Sequence, residues 1–149
     1  MPLSEICNRE VIVVQRDDTG IEAAKLMRQH HVGDVVVVED RGDVRVPVGI
    51  VTDRDLVVEI MAPELDQMVI TAGDIMAPEL ATVKENIGLF EAIQYMRAKG
   101  VRRLPVVNLS GGLVGILTLD DLLELLAEEL LALAKLVARE QKKETTSRR

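Results

Sequence analysis

The chain has 149 residues, 48% hydrophobic and 29% charged, with a formal net charge of −7, which suits one sizeable globular core. The acidic balance and 1% aromatic content argue against nucleic acid, whose binding needs clustered Lys and Arg or stacking rings. Cys7 is the single cysteine, so neither a disulfide framework nor a thiolate metal site is expected. No apolar run nears the ~18 residues of a membrane span, and the first five residues lack the basic region of a signal peptide. A cytoplasmic protein that neither crosses a membrane nor binds nucleic acid is expected.

Taken in order, the chain repeats itself. Residues 6–14 match 75–83, and 21–38 match 90–107, each pair 69 positions apart. From Gly49 and Gly115 onward the offset falls to 66, so the first copy carries extra residues. These are assigned to an exposed hairpin loop, residues 39–43, opposite 108–112 in the second copy. The apolar runs 11–14 and 80–83 read as short strands. Ile21, Ala24, Leu26 and Met27, and likewise Phe90, Ile93, Tyr95 and Met96, read as helical faces. Val35, Val36, Val37 and Val38 read as a buried strand, with its partner strand entering through Pro47. Each copy is therefore predicted to be β-α-β-β-α, in the α/β class, with Pro63 and Pro78 punctuating the crossing between them.

The third strand and second helix of each copy share one pattern: Gly49, Thr52 and Asp55, and again Gly115, Thr118 and Asp121. A threonine closing a strand, with a carboxylate three residues later, is the signature of a capping box. The same strand-to-helix junction also suits a small anion or a sugar, since helix N-termini present free amides and a positive dipole end. Both readings stand on the residues alone. Arg102 and Arg103 precede the second strand of the second copy, where a solvated turn is the plain alternative; Asp34 occupies the position of Arg103 in the first copy.

Other chemistry is sparse. His30 and His31 are adjacent, whereas metal ligands on one helical face need a spacing of four. They are expected to cap carbonyls or face water. Residues 111–115 fail the dinucleotide fingerprint in spacing, and no nucleophile–base set has a supporting context. No metal site is expected, although Asp53, Asp55, Asp120 and Asp121 are the acidic residues that would hold Mg²⁺ beside a nucleotide; solvated helix starts explain them equally well.

Two tandem β-α-β-β-α units carrying G-h-x-T-x-x-D resemble a pair of cystathionine β-synthase (CBS) domains. Residues 4–61 resemble the first domain and 73–127 the second, with a linker over 62–72 and a helical extension with a frayed tail over 128–149. The resemblance implies a pseudo-two-fold pair of domains with two clefts. It also implies a regulatory, non-catalytic role and an adenosine ligand: AMP, ADP, ATP or S-adenosylmethionine. Asp55 and Asp121 are then ribose ligands, since a carboxylate accepts from both hydroxyls of a diol and repels phosphate. Thr52 and Thr118 stand on the phosphate side. The family position matched by Arg103, with Arg102 beside it, does the same and implies that the second site prefers phosphorylated ligands. Backbone groups at Val11 and Leu80 would meet the adenine edge. The competing reading is a structural dimerisation module whose T-x-x-D motifs only cap helices.

The last helix has no counterpart. It is expected to run from near Leu119 to about Lys143, roughly 37 Å at 1.5 Å per residue. Leu119, Leu122, Leu126, Leu130, Leu133 and Val137 recur at three and four residues, widened by Leu123, Leu125, Leu131 and Leu136. Acidic residues gather early and basic ones late, as the helix dipole favours. Such a stripe beyond Ala127 implies a homodimer, or a regulated protein of another kind, covering it.

Overall fold

Val35, Val36, Val37 and Val38 are all fully buried; β-branched and stiff at χ1, they suit the middle of a sheet. In the computed structural model, which describes residues 1–147, the chain divides into Met1–Leu117 and a second part beginning at Thr118.

In the first part, β1 (Val13–Gln15) runs parallel to β2 (Asp34–Arg41), and β3 (Val44–Thr52) lies antiparallel on its other side. α2 (Gly20–His30) connects β1 to β2. A four-residue helix α3 (Asp53–Leu56) follows β3 and passes into a π-helical turn, Val57–Met61. The second copy repeats the plan with β4 (Val83–Lys84) parallel to β5 (Arg103–Val107), joined by α5 (Leu89–Lys99), and β6 (Leu113–Thr118) on the other edge of its own three-stranded sheet. The βαββα repeat and the α/β class are as the sequence indicates.

Several local readings need correction. The helices bury Gly20, Ala23 and Met27 in α2 and Leu89, Ala92 and Met96 in α5. These are the same three positions in both copies, spaced by three and four. Phe90 lies about 100° around the helix from Leu89 and is 75% exposed, so it is not on the packed face. The extra residues of the first copy do not form a loop: Glu39, Asp40 and Arg41 pair with Val46, Arg45 and Val44, lengthening the β2–β3 hairpin to a tight turn at Gly42. Pro47 is inside β3 and not at its entry. β3 is an edge strand with a register shift at this point, where proline removes no needed ladder bond.

The sequence reading also missed two short helices, α1 (Leu3–Ile6) and α4 (Ala72–Ile75). Each packs on the copy it does not precede. Leu3 N donates to Ile87 O (3.0 Å) and Ser4 N to Glu85 O (3.0 Å), and Leu3 is fully buried. Asn8 and Ile116 exchange both backbone bonds at 2.9 Å. In the same way Ala72 N bonds Asp18 O (2.8 Å) and Gly73 N bonds Arg16 O (2.9 Å), and Ala72 joins the core of Val14, Ala23, Met27, Val35, Val37 and Val51. Because Asn8 is tied to the second sheet, residues 9–12 must cross before β1 can begin. That is why the strands start at Val13 and Val83, later than the apolar runs at Val11 and Leu80 imply.

The glycines that open the repeated pattern have their reason here. A β-carbon on Gly115 would lie 2.6 Å from Cys7 Sγ and 2.9 Å from Asn8 O; one on Gly49 would collide with Met76. Cys7 and Met76 are equivalent residues of the two crossing segments, 69 positions apart. Burial pushes the Cys7 thiol upward in pKa, the nearby Arg9 opposing this, so the residue behaves as a small packing group.

From Thr118 onward the chain is one helix, α6 (Leu119–Ser147, 29 residues). Leu122 is buried, whereas Leu130, Leu131, Leu133, Leu136 and Val137 are all more than half exposed. The helix passes the stop expected near Lys143, so residues 144–147 are not a frayed tail. The hydroxyls of Thr145, Thr146 and Ser147 donate to the carbonyls of Gln141, Lys142 and Lys143, each at 2.9 Å, and serve the last turn as local partners. The remainder of that expected tail, 148–149, lies outside the described residues.

Gly115→Ala should lower the stability of the chain by about 1–3 kcal/mol, because the blocking group is partly backbone and cannot swing aside. Equilibrium denaturation with urea reads this; an unchanged midpoint would mean that the crossing segment tolerates displacement.

Candidate ligand-binding junctions

Each junction is built by a strand that ends in threonine and a helix that begins at the next residue. At the first, Thr52 Oγ1 accepts from Asp55 N (3.2 Å) while the Asp55 carboxylate accepts from Thr52 N (2.9 Å), a closed capping box. The same reciprocal pair recurs at Thr71–Asp74 and, with glutamate, at Thr19–Glu22. Neither had been singled out from sequence, yet both carry the T-x-x-[DE] signature that would have revealed them. Bonds from Thr71 hold the Asp74 carboxyl below its ordinary pKa, so that cap acts fully above the ordinary value and weakens as pH falls through the folded one.

At Thr118–Asp121 the box is open. Thr118 Oγ1 accepts from Asp121 N (3.1 Å), but no bond returns from Thr118 N to the carboxylate, and Asp121 is exposed at the start of α6. The two aspartates singled out from sequence therefore differ: one is engaged by its own strand, the other is not.

Arg103 is engaged too. Its Nε donates to Asp34 Oδ2 at 2.6 Å, with side chains 31% and 19% exposed. The two residues sit at equivalent positions of the two copies, so the pair spans their pseudo-symmetry. Asp34 is the register partner of Thr52 across β2 and β3, which brings the Arg103 guanidinium to the strand edge of the first junction. Arg102 is exposed. Val11 is half-buried and packs on the cluster of Val36, Val38 and Ile116; Leu80 is half-buried ahead of β4.

Beyond these residues, a groove of about 310 Å³ lies between α2 and the helix after β3, lined by Ile21, Ala24, Asp53, Leu56, Val57 and Met61 among others. It was not legible in the sequence, because its walls come from segments thirty residues apart. His31 ends α2 in the left-handed conformation (φ 55°), its N–H donating to Met27 O, and both histidines are exposed. Among the described residues no group of three His, Cys, Asp or Glu side chains converges as for a metal ion, and no helix is long and apolar enough to cross a membrane.

A duplicated α/β module with a threonine–carboxylate junction in each copy is the class that this architecture defines. The family model for the CBS domain matches residues 3–62 and 72–128. The chain is 38% identical over 113 residues to the CBS domain-containing protein YhcV of Bacillus subtilis, covering 76% of each. It is 38% identical over 122 residues to the uncharacterized protein MK0525 of Methanopyrus kandleri, covering 82% of this chain and 61% of that one. The fold is shared with the CBS domain pair of protein MJ0100, solved in complex with 5-methylthioadenosine and S-adenosyl-L-methionine. That match has a TM-score of 0.74 at 23% identity and covers 87% of this chain and 98% of that one. The chain belongs to the CBS domain family and carries the domain as a tandem pair.

The open and closed boxes predict different mutational costs. Asp55→Ala should cost about 1 kcal/mol through loss of its cap, whereas Asp121→Ala should stay within about 0.5 kcal/mol. Denaturation midpoints of the two variants compare them directly; equal costs would contradict the difference in geometry.

Proposed function

We infer that this CBS pair is a non-catalytic sensor of an adenosine compound, either an adenine nucleotide or S-adenosylmethionine. The observation that carries this reading is the open box at Asp121: an exposed carboxylate beside a helix start, left without the partner that its counterpart Asp55 has. A vicinal diol supplies two donors to such a group, and a phosphate supplies none. In this reading Asp55 and Asp121 take ribose hydroxyls, Thr52 and Thr118 with Arg103 and Arg102 stand on the phosphate side, and backbone groups at Val11 and Leu80 meet the adenine. Asp55 retains acceptor capacity on the oxygen that Thr52 does not use. The ligand of the MJ0100 pair belongs to the same chemical class. Sensing follows if the ligand binds two conformations with different affinity, which biases a regulated partner in the cytoplasm. Mg²⁺ would accompany only a polyphosphate.

A thermal-shift panel of adenosine, AMP, ATP, S-adenosylmethionine and GMP tests the reading. At least one adenosine compound should raise the melting temperature, with about 2.7 kcal/mol of added stability at a hundredfold excess over Kd. If none does at millimolar concentration, the T-x-x-D motifs are helix caps and the chain is a structural module.

The exposed face of α6 supports a homodimer. Each leucine left in water forgoes about 1.5–3 kcal/mol of burial. An antiparallel pairing of two α6 helices centred between Lys135 and Leu136 sets Glu128 and Glu129 against Lys143 and Lys142 of the second copy. Parallel pairing would stack like charges instead. Leu130→Glu combined with Leu133→Glu, or a chain ending at Ala127, should therefore halve the mass measured by light scattering. Unchanged mass in both would put the dimer contact elsewhere.

A further inference from the structure

The ion pair between the two copies changes what the first junction can accept. Three carboxylates gather at this end of the first sheet. Asp34 is the strand partner of Thr52, Asp55 closes the cap on Thr52, and Asp53 reaches back over Gly33, where an added β-carbon would lie 3.3 Å from its Oδ2. Against them stands the Arg103 guanidinium, already committed to Asp34 in a partly buried contact. Arg54 is the other cation of the segment and is exposed, where solvent screens it.

We propose that Asp34 acts as a built-in anion that occupies Arg103 and makes the first junction select uncharged or cationic adenosine compounds over phosphorylated ones. This rests on the adenosine reading above and names the ligand class within it. A phosphate arriving at Arg103 meets a guanidinium whose Nε is held by Asp34 and whose charge that fixed carboxylate already balances, so it gains little from the N–H groups that remain. Two anions would then share one cation beside Asp53 and Asp55. A neutral adenosine, or one carrying a sulfonium, meets no such competition. The residue that the sequence marks as a phosphate ligand is thereby held in reserve by its own counterpart in the repeat.

Calorimetry with adenosine, AMP and S-adenosylmethionine on the wild-type chain, Asp34→Asn, Arg103→Gln and the double variant tests this. The wild type should bind adenosine more tightly than AMP. Asp34→Asn, which keeps the shape and removes the charge, should shift the affinity ratio at least tenfold toward AMP, and adding Arg103→Gln should abolish that gain. A further variant, Asp34→Ala, should shift the ratio in the same direction, a readout that holds even if Asp34→Asn fails to fold. An unchanged ratio in both Asp34 variants with adenosine still bound overturns the proposed selection and leaves the adenosine reading standing. AMP binding to the wild type with no adenosine binding overturns the selection alone, whereas absence of binding by adenosine, AMP and S-adenosylmethionine alike overturns both.

Discussion

The close approach of each crossing segment to a glycine in the opposite copy is the constraint on which the rest depends. Cys7 and Asn8 lie against Gly115, and Met76 lies against Gly49. No side chain larger than hydrogen fits at either glycine without displacing its neighbour. The consequence is that neither copy is complete by itself. The first supplies its leading helix to the second sheet, and the second supplies its own leading helix to the first. A shared core of Val36, Val38 and Ile116 closes the arrangement.

This exchange brings the starts of β2 and β5 together and so allows a residue and its own repeat equivalent to touch. Identical side chains at those two positions would meet as like charges or as two neutral groups. The chain has Asp34 on one side and Arg103 on the other, and the duplication becomes an ion pair. An exposed pair of this kind is worth little, at most about 1 kcal/mol. This one is partly buried, so removing either partner costs more than the pair itself contributes.

The capping boxes show a similar economy of pattern. T-x-x-[DE] marks helix starts at Thr19, Thr52 and Thr71, where both reciprocal bonds form, and at Thr118, where one does. The signature is therefore a helix start first, whatever else its carboxylate does.

The sequence by itself determined the duplication, the βαββα order, the buried valine strand, the strand-to-helix junctions and the start and amphipathic stripe of α6. All of these depend on local periodicity, β-branching and cap chemistry, which act over a few residues. What only the tertiary structure decided was which copy each leading helix serves, why Gly49 and Gly115 are glycine, that Pro47 lies at a bulge, and that Phe90 faces outward. The engagement of Arg103 by Asp34 belongs with these. Local patterns cannot carry such information, because each is a contact between residues far apart in the chain, made only once the two sheets have packed.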